Sequence, residues 1–148
     1  MTTVDDHPKK PELEALPGPR YTEFRGRGFW CRDGLLEVWL ATIVDELDRR
    51  RSTRPLPPWL GRLRDDWSFQ ATIVFDGVVS CRLDDHVIDE RRRAELVDLC
   101  RHLQHRLRSA EVAVAGSLAR RVAGPRWQRA DTRARLERLA GAFLWVCS

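Results

Sequence analysis

Two short runs of alternating apolar and polar residues flank Asp76-Gly77 within WLGRLRDDWSFQATIVFDGVVSCRL, residues 59–83. Phe69, Ala71 and Ile73 alternate with Gln70 and Thr72 before the Asp-Gly pair; Val79, Cys81 and Leu83 alternate with Ser80 and Arg82 after it. A period of two marks a half-buried strand, and Asp-Gly between two such runs marks a hairpin. The pleat then selects the register. A two-residue loop would set Ile73 against Ser80 and mix apolar with polar faces, which a half-buried sheet does not tolerate. A three-residue loop, Phe75-Asp76-Gly77, sets Ile73 against Val79, Ala71 against Cys81 and Phe69 against Leu83. Gly77 then takes the left-handed position of a bulge. The expected fold class is α+β: a small antiparallel sheet centred on a hairpin at about residues 68–83, packed against several helices.

Helical periodicity supplies the rest. Leu36, Trp39, Leu40, Ile43 and Leu47 form one apolar stripe, predicting a helix from about Gly34 to Arg51 capped by Asp33. Asp45, Glu46 and Asp48 are expected on its outer side, and Arg49-Arg50-Arg51 at the end where the helix dipole favours cations. Leu35 and Val38 fall off the stripe and are read as contacts to a neighbouring element. Pro58 opens a short helix with Trp59, Leu63 and Trp67 stacked at i, i+4 and i+8. Leu83-Asp84-Asp85-His86 reads as a loop. A long helix follows from about Asp89 to Arg108, with Leu96, Leu99, Cys100, Leu103 and Leu107 inward. Residues 109–126 are ambiguous between strand and helix, with helix preferred from Glu111 to Val122 and a stop at Gly124-Pro125. Trp127 is expected to be buried, and Asp131 or Thr132 to cap a last helix with Leu136, Leu139, Ala140 and Phe143 inward. Trp145 and Val146 carry the apolar surface on, so the end of the chain is expected to dock on the body.

Residues 1–26 read as a disordered tail, with Pro8, Pro11, Pro17 and Pro19 and many charges, and residues 27–148 as a single α+β domain. Arg25-Gly26-Arg27-Gly28 reads as a flexible entry to that domain. Of 26 basic residues only Lys9 and Lys10 are lysine, a bias explained by GC-rich bacterial coding. Cys31, Cys81, Cys100 and Cys147 show neither paired nor metal-ligand spacing, and Cys81 and Cys100 read as core thiols. With no signal peptide or membrane-length apolar run, the expected location is a reducing cytoplasm.

No catalytic, cofactor-binding or metal-binding set can be assembled from spacing. Asp65 and Asp66 point about 100° apart on a helix and read as a solvated face. His102 and His105 have metal-compatible spacing but no third ligand. Asp84, Asp85 and His86 resemble a fragment of a site and are also ordinary loop and capping residues. Phosphate loops, nucleophile elbows and zinc motifs are missing, so a hydrolase or transferase is an unsupported third reading. Its discriminator is a deep pocket where Asp84, Asp85 or His86 meets another polar group.

FWCRDGLLEVWL, PPWLGRLRDDW, the strand–Asp-Gly–strand pattern and LDDHVIDERRRAEL, spanning residues 29–108, resemble a group of small bacterial α+β proteins. These are similar to immunity proteins of polymorphic-toxin systems. That resemblance implies a non-catalytic module that neutralises one protein partner, a toxin, by steric occlusion, with no cofactor. The alternative is nucleic-acid binding through an arginine-rich surface within residues 99–138. Arg101, Arg106, Arg108, Arg120, Arg121, Arg126, Arg129, Arg133, Arg135 and Arg138 stand there against three acids, a local net charge of +7. Gathering of these arginines on one surface would favour that alternative.

Overall fold

A two-residue turn places the sheet near the start of the described chain. The computed structural model describes residues 20–72, 80–108, 117–124 and 130–148. Strands β1 (Arg20–Phe24) and β2 (Arg27–Cys31) pair antiparallel, with Tyr21 opposite Trp30, Thr22 opposite Phe29 and Phe24 opposite Arg27. Arg25 and Gly26 form the loop at φ of 50° and 82°. Two consecutive positive φ values give the twist that matches a tight hairpin.

The α+β class is therefore observed, with the sheet of the described residues at 20–31; of the expected hairpin at 68–83, residues 68–72 and 83 are helical and 73–79 lie outside the described residues. Residues 20–26, expected to end a tail, are its first strand and turn. Residues 68–72, the described part of the expected first strand, are instead the end of helix α2 (Pro58–Thr72). The physical reason lies in that helix's buried face: Trp59, Leu60, Leu63, Trp67, Gln70 and Ala71 continue one helical stripe through the stretch. Phe69 falls off that stripe and is exposed, and no proline intervenes to stop the helix. The Asp76-Gly77 turn lies outside the described residues.

Helix α1 (Asp33–Arg51) is the centre of the molecule and packs on α2, α5 (Ser117–Ala123) and α6 (Ala130–Cys147). Val38 to Val44 are buried without interruption. Neighbours on several sides explain why Val38 is buried and Leu35 partly buried although both leave the main stripe. The helix starts one residue earlier than expected: Asp33 lies within it, and Arg32 occupies the cap position without a side-chain hydrogen bond.

Residues 83–86, expected to be a loop, form the single turn α3 (Leu83–His86). Helix α4 (Glu90–Arg108) buries Leu96, Leu99, Cys100, Leu103 and Leu107 as expected and packs on α6. Asp131 and Thr132 lie inside α6 because the helix already includes Ala130. Residues 109–116 and Trp127 lie outside the described residues; helix is observed at 117–123, followed by Gly124 at φ 58°.

Phe143 of α6 knits the layers. Its ring lies 5.5 Å from Phe29, 5.6 Å from Trp39 and 6.2 Å from Trp67, joining β2, α1 and α2. The last turn of α6 is also held: Arg27 donates to the Trp145 carbonyl at 3.0 Å and Arg93 to the Cys147 carbonyl at 2.8 Å. Cations there satisfy free carbonyls and oppose the helix dipole.

Candidate functional site

The hairpin's pleat turns Thr22, Phe24, Phe29 and Cys31 into the core and Tyr21, Glu23 and Trp30 outward. Tyr21 and Trp30 are direct cross-strand partners with ring centroids 4.9 Å apart at 43°. They stand 46% and 49% exposed, two of four large apolar side chains so exposed among the described residues. Gly28 permits this arrangement: a Cβ there would collide with the Tyr21 ring. The tyrosine therefore lies over β2, with a neighbour on each side restricting its rotation.

Beside this aromatic pair, Ser80 to Asp85 are fastened to the body from several directions. Ser80 N–H donates to Gln70 Oε1 at 3.1 Å, and Trp67 Nε1 donates to the Cys81 carbonyl at 2.8 Å. The buried Thr22 hydroxyl bonds the Cys81 thiol, tying the segment to β1. Arg82 then turns through φ 49°, an uncommon conformation for a residue with a side chain, and starts α3. Between hairpin and α3 lies an open recess of about 320 Å³, lined by Tyr21, Glu23, Arg82, Asp84 and Asp85 among others. Glu23, Asp84 and Asp85 are exposed and, among the described residues, none of them forms an ion pair. The recess thus carries three carboxylates and one guanidinium on a chain whose formal charge is +4.

Asp84 and Asp85 are brought together, but His86 is not with them. His86 Nε2 is 2.7 Å from Asp66 Oδ2, while the Arg92 guanidinium donates to the His86 carbonyl at 3.1 Å. Asp66 is accordingly part of an internal bond between α2 and α3, whereas Asp65 is exposed against Arg64, as expected for a solvated face. His102 is drawn to Glu46, 3.5 Å from its Oε1, and His105 is exposed. Among the described residues, no group of three or more His, Cys, Asp or Glu could hold a metal ion.

Asp45 and Glu46 were expected outside α1 and are instead its interhelical polar contacts. Asp45 accepts from the Leu118 and Ala119 amides at 3.1 and 2.8 Å, capping α5 from another helix. Burial raises the Asp45 pKa, and those two hydrogen bonds only partly oppose it. Glu46, with a side chain 2% exposed, accepts from Arg49 at 2.7 Å, Arg50 at 3.2 Å and Arg106 at 2.8 Å. Burial pushes its pKa up, but the Arg49 and Arg50 hydrogen bonds and the Arg49 and Arg106 charges prevail and hold it below the usual value. Within the arginine-rich stretch, Arg106 is therefore tied to Glu46 and Arg108 to Glu137. Arg120 and Arg121 belong to α5 on α1, while Arg101 belongs to α4 on α6.

All four cysteines are buried, and none forms a disulfide. Burial pushes the Cys81 and Cys100 thiols far up and Cys147 to about 12, so they behave as core atoms. Sequence reasoning missed Tyr21, Glu23 and Trp30. The available signal was a turn-forming Arg25-Gly26 between two short runs with strand-favouring Tyr21, Thr22, Phe24, Phe29 and Trp30, in RYTEF and RGFWC.

Set against protein-family models, curated proteins and solved structures, the chain matches none of them.

Proposed function

We propose that this chain is a non-catalytic protein-binding module of immunity type, neutralising one partner by covering its working surface. The observation that supports this reading best is the stacked Tyr21–Trp30 pair, exposed on a sheet whose other face is core. Tyrosine and tryptophan dominate binding hot spots because they bury large areas with few rotatable bonds. Here part of the ordering cost is already met in the free protein, since each ring restricts the other. Occlusion needs a rigid ledge and no reacting groups. No described helix is long and apolar enough to cross a membrane, and four cysteines without a disulfide suit work in a reducing cytoplasm.

The test is capture of partners by the tagged full chain, washed at rising salt with and without nuclease, beside a Tyr21→Ala/Trp30→Ala variant. A discrete protein that survives nuclease, and whose affinity falls about thirtyfold or more in the variant, is the expected result. Its own activity should then be silenced by an equimolar amount of the wild-type chain. Equal recovery on the variant, or recovery that collapses with nuclease, would overturn the reading.

A further inference from the structure

We infer that the hairpin face receives a cationic segment of the partner, with lysine or arginine side chains reaching the recess between β1 and α3. This inference rests on the protein-binding reading and specifies the chemistry of the bound surface. Two features of one face support it. The exposed Tyr21 and Trp30 rings offer π-faces, which attract ammonium and guanidinium groups as well as apolar stems. Directly beside them, Glu23, Asp84 and Asp85 outnumber Arg82 by three to one. A recess of about 320 Å³ is at the small end of ligand pockets and accommodates long side chains better than a whole organic cofactor. The surrounding ledge would hold the backbone that carries them.

Charge discriminates among other occupants. Residues 1–19 carry Asp5, Asp6, Glu12 and Glu14 against Lys9 and Lys10, the same sign as the recess. A second copy docking symmetrically would set one acidic recess against its twin, because a two-fold interface presents the same patch twice. The three recess carboxylates would repel nucleic-acid phosphates at this site. A basic protein surface is attracted at long range and paired at contact, which is how complementary charge raises association rates and selects partners. The hydrogen bond that Gln70 accepts from Ser80 and the one that Trp67 donates to Cys81, together with the Thr22–Cys81 bond, hold the acidic rim in place before binding.

The test uses the full chain, two-dimensional amide NMR and a short peptide of alternating lysine and glycine. Its glutamate counterpart and a DNA duplex serve as competing probes. The lysine peptide should shift amides of residues 20–31 and 80–86 saturably, and high salt should weaken it. The combined Glu23→Lys/Asp84→Lys/Asp85→Lys variant should bind about tenfold or more weakly, with an unchanged melting temperature. Gly28→Ala, which displaces the Tyr21 ring and leaves every charge in place, should also weaken binding. Shifts confined to other helices would overturn the inference, as would no binding, equal binding by the charge-reversed chain, or hairpin shifts caused by the glutamate peptide or DNA. Hairpin shifts that grow with protein concentration alone would assign the face to a second copy and also overturn it. Failure here alongside Tyr21- and Trp30-dependent capture removes the cationic segment and leaves the occlusion reading standing. Capture indifferent to those rings removes the occlusion reading itself.

Discussion

Glu46→Gln should be among the most damaging conservative substitutions in this protein. The carboxylate is 2% exposed, and three guanidiniums converge on it. Their contributions are unequal because their exposures differ. Arg49 and Arg50 are 57% and 34% exposed, so their pairs resemble surface ion pairs, each contributing a few tenths to about 1 kcal/mol. Arg106 is 11% exposed and bridges α4 to α1. Leaving that guanidinium without its anion costs about 1.5–3 kcal/mol, as for other hydrogen bonds to charged groups. The expected loss is about 2–4 kcal/mol, read by urea unfolding followed by circular dichroism. A double-mutant cycle with Arg106→Gln should return a coupling of about 1–3 kcal/mol. The acid dependence has a definite sign. Because the folded pKa is lowered from its usual 4.5, the stabilisation is complete above about pH 4.5 and is lost as pH falls through the lower folded value. That slope should be missing from Glu46→Gln. A loss below about 0.5 kcal/mol, or no coupling to Arg106, would refute the claim that this carboxylate fastens α4 to α1.

Asp45→Ala should cost about 1–2 kcal/mol by uncapping α5, while Asp45→Asn should cost less, since an amide oxygen can still accept and no charge is desolvated. Asp45 has a raised folded pKa, so from its usual 3.8 up to that value it makes stability fall as pH rises, opposite to Glu46; unfolding midpoints of Asp45→Asn against pH should lack this component. Gly26→Ala should cost about 1–2 kcal/mol, because φ of 82° penalises a side chain; an unchanged thermal midpoint would contradict the turn geometry. Phe143→Ala should cost about 3–5 kcal/mol, and deletion of residues 143–148 should abolish cooperative melting, since Phe143, Leu144, Val146 and Cys147 are all core.

Elements whose partners do not alter their period were legible from sequence. The stripe Leu36, Trp39, Leu40, Ile43 and Leu47 is buried, as are the inward residues expected of α4 and α6. The polar side of α1 was not legible, because what decides it is remote: Arg106 lies 60 residues from Glu46, and the amides capped by Asp45 lie 73 and 74 away. Buried polar groups need partners, but the need does not name them. Position 68–83 failed for a different reason. Alternation over five residues is a short signal, and an upstream stripe through Leu63, Trp67, Gln70 and Ala71 settles the contest for helix as far as Thr72, leaving Phe69 exposed.

The site was hidden by one remaining ambiguity. Pairing RYTEF with RGFWC across Arg25-Gly26 makes alternate residues share a face, Tyr21 with Trp30, but does not say which face meets the helices. The resolution lies in Glu23, opposite Gly28 on that same face. Burying an ionised carboxylate without a partner costs several kcal/mol, and Gly28 offers no side chain to pair with it. The opposite face has Phe24, Phe29, Cys31 and a Thr22 hydroxyl that finds Cys81, so it can be buried with its polar atoms satisfied. Exposing two aromatic rings forfeits about 1.5–3 kcal/mol for each ring that could have been fully buried. Glu23 therefore does more than border the aromatic pair. By keeping its own face in water it forces the rings outward, so the acidic rim and the aromatic ledge follow from the same alternation. Reversing Glu23 to lysine would preserve that exposure and invert only the sign of the surface, which is why charge reversal, rather than truncation, isolates what the partner recognises.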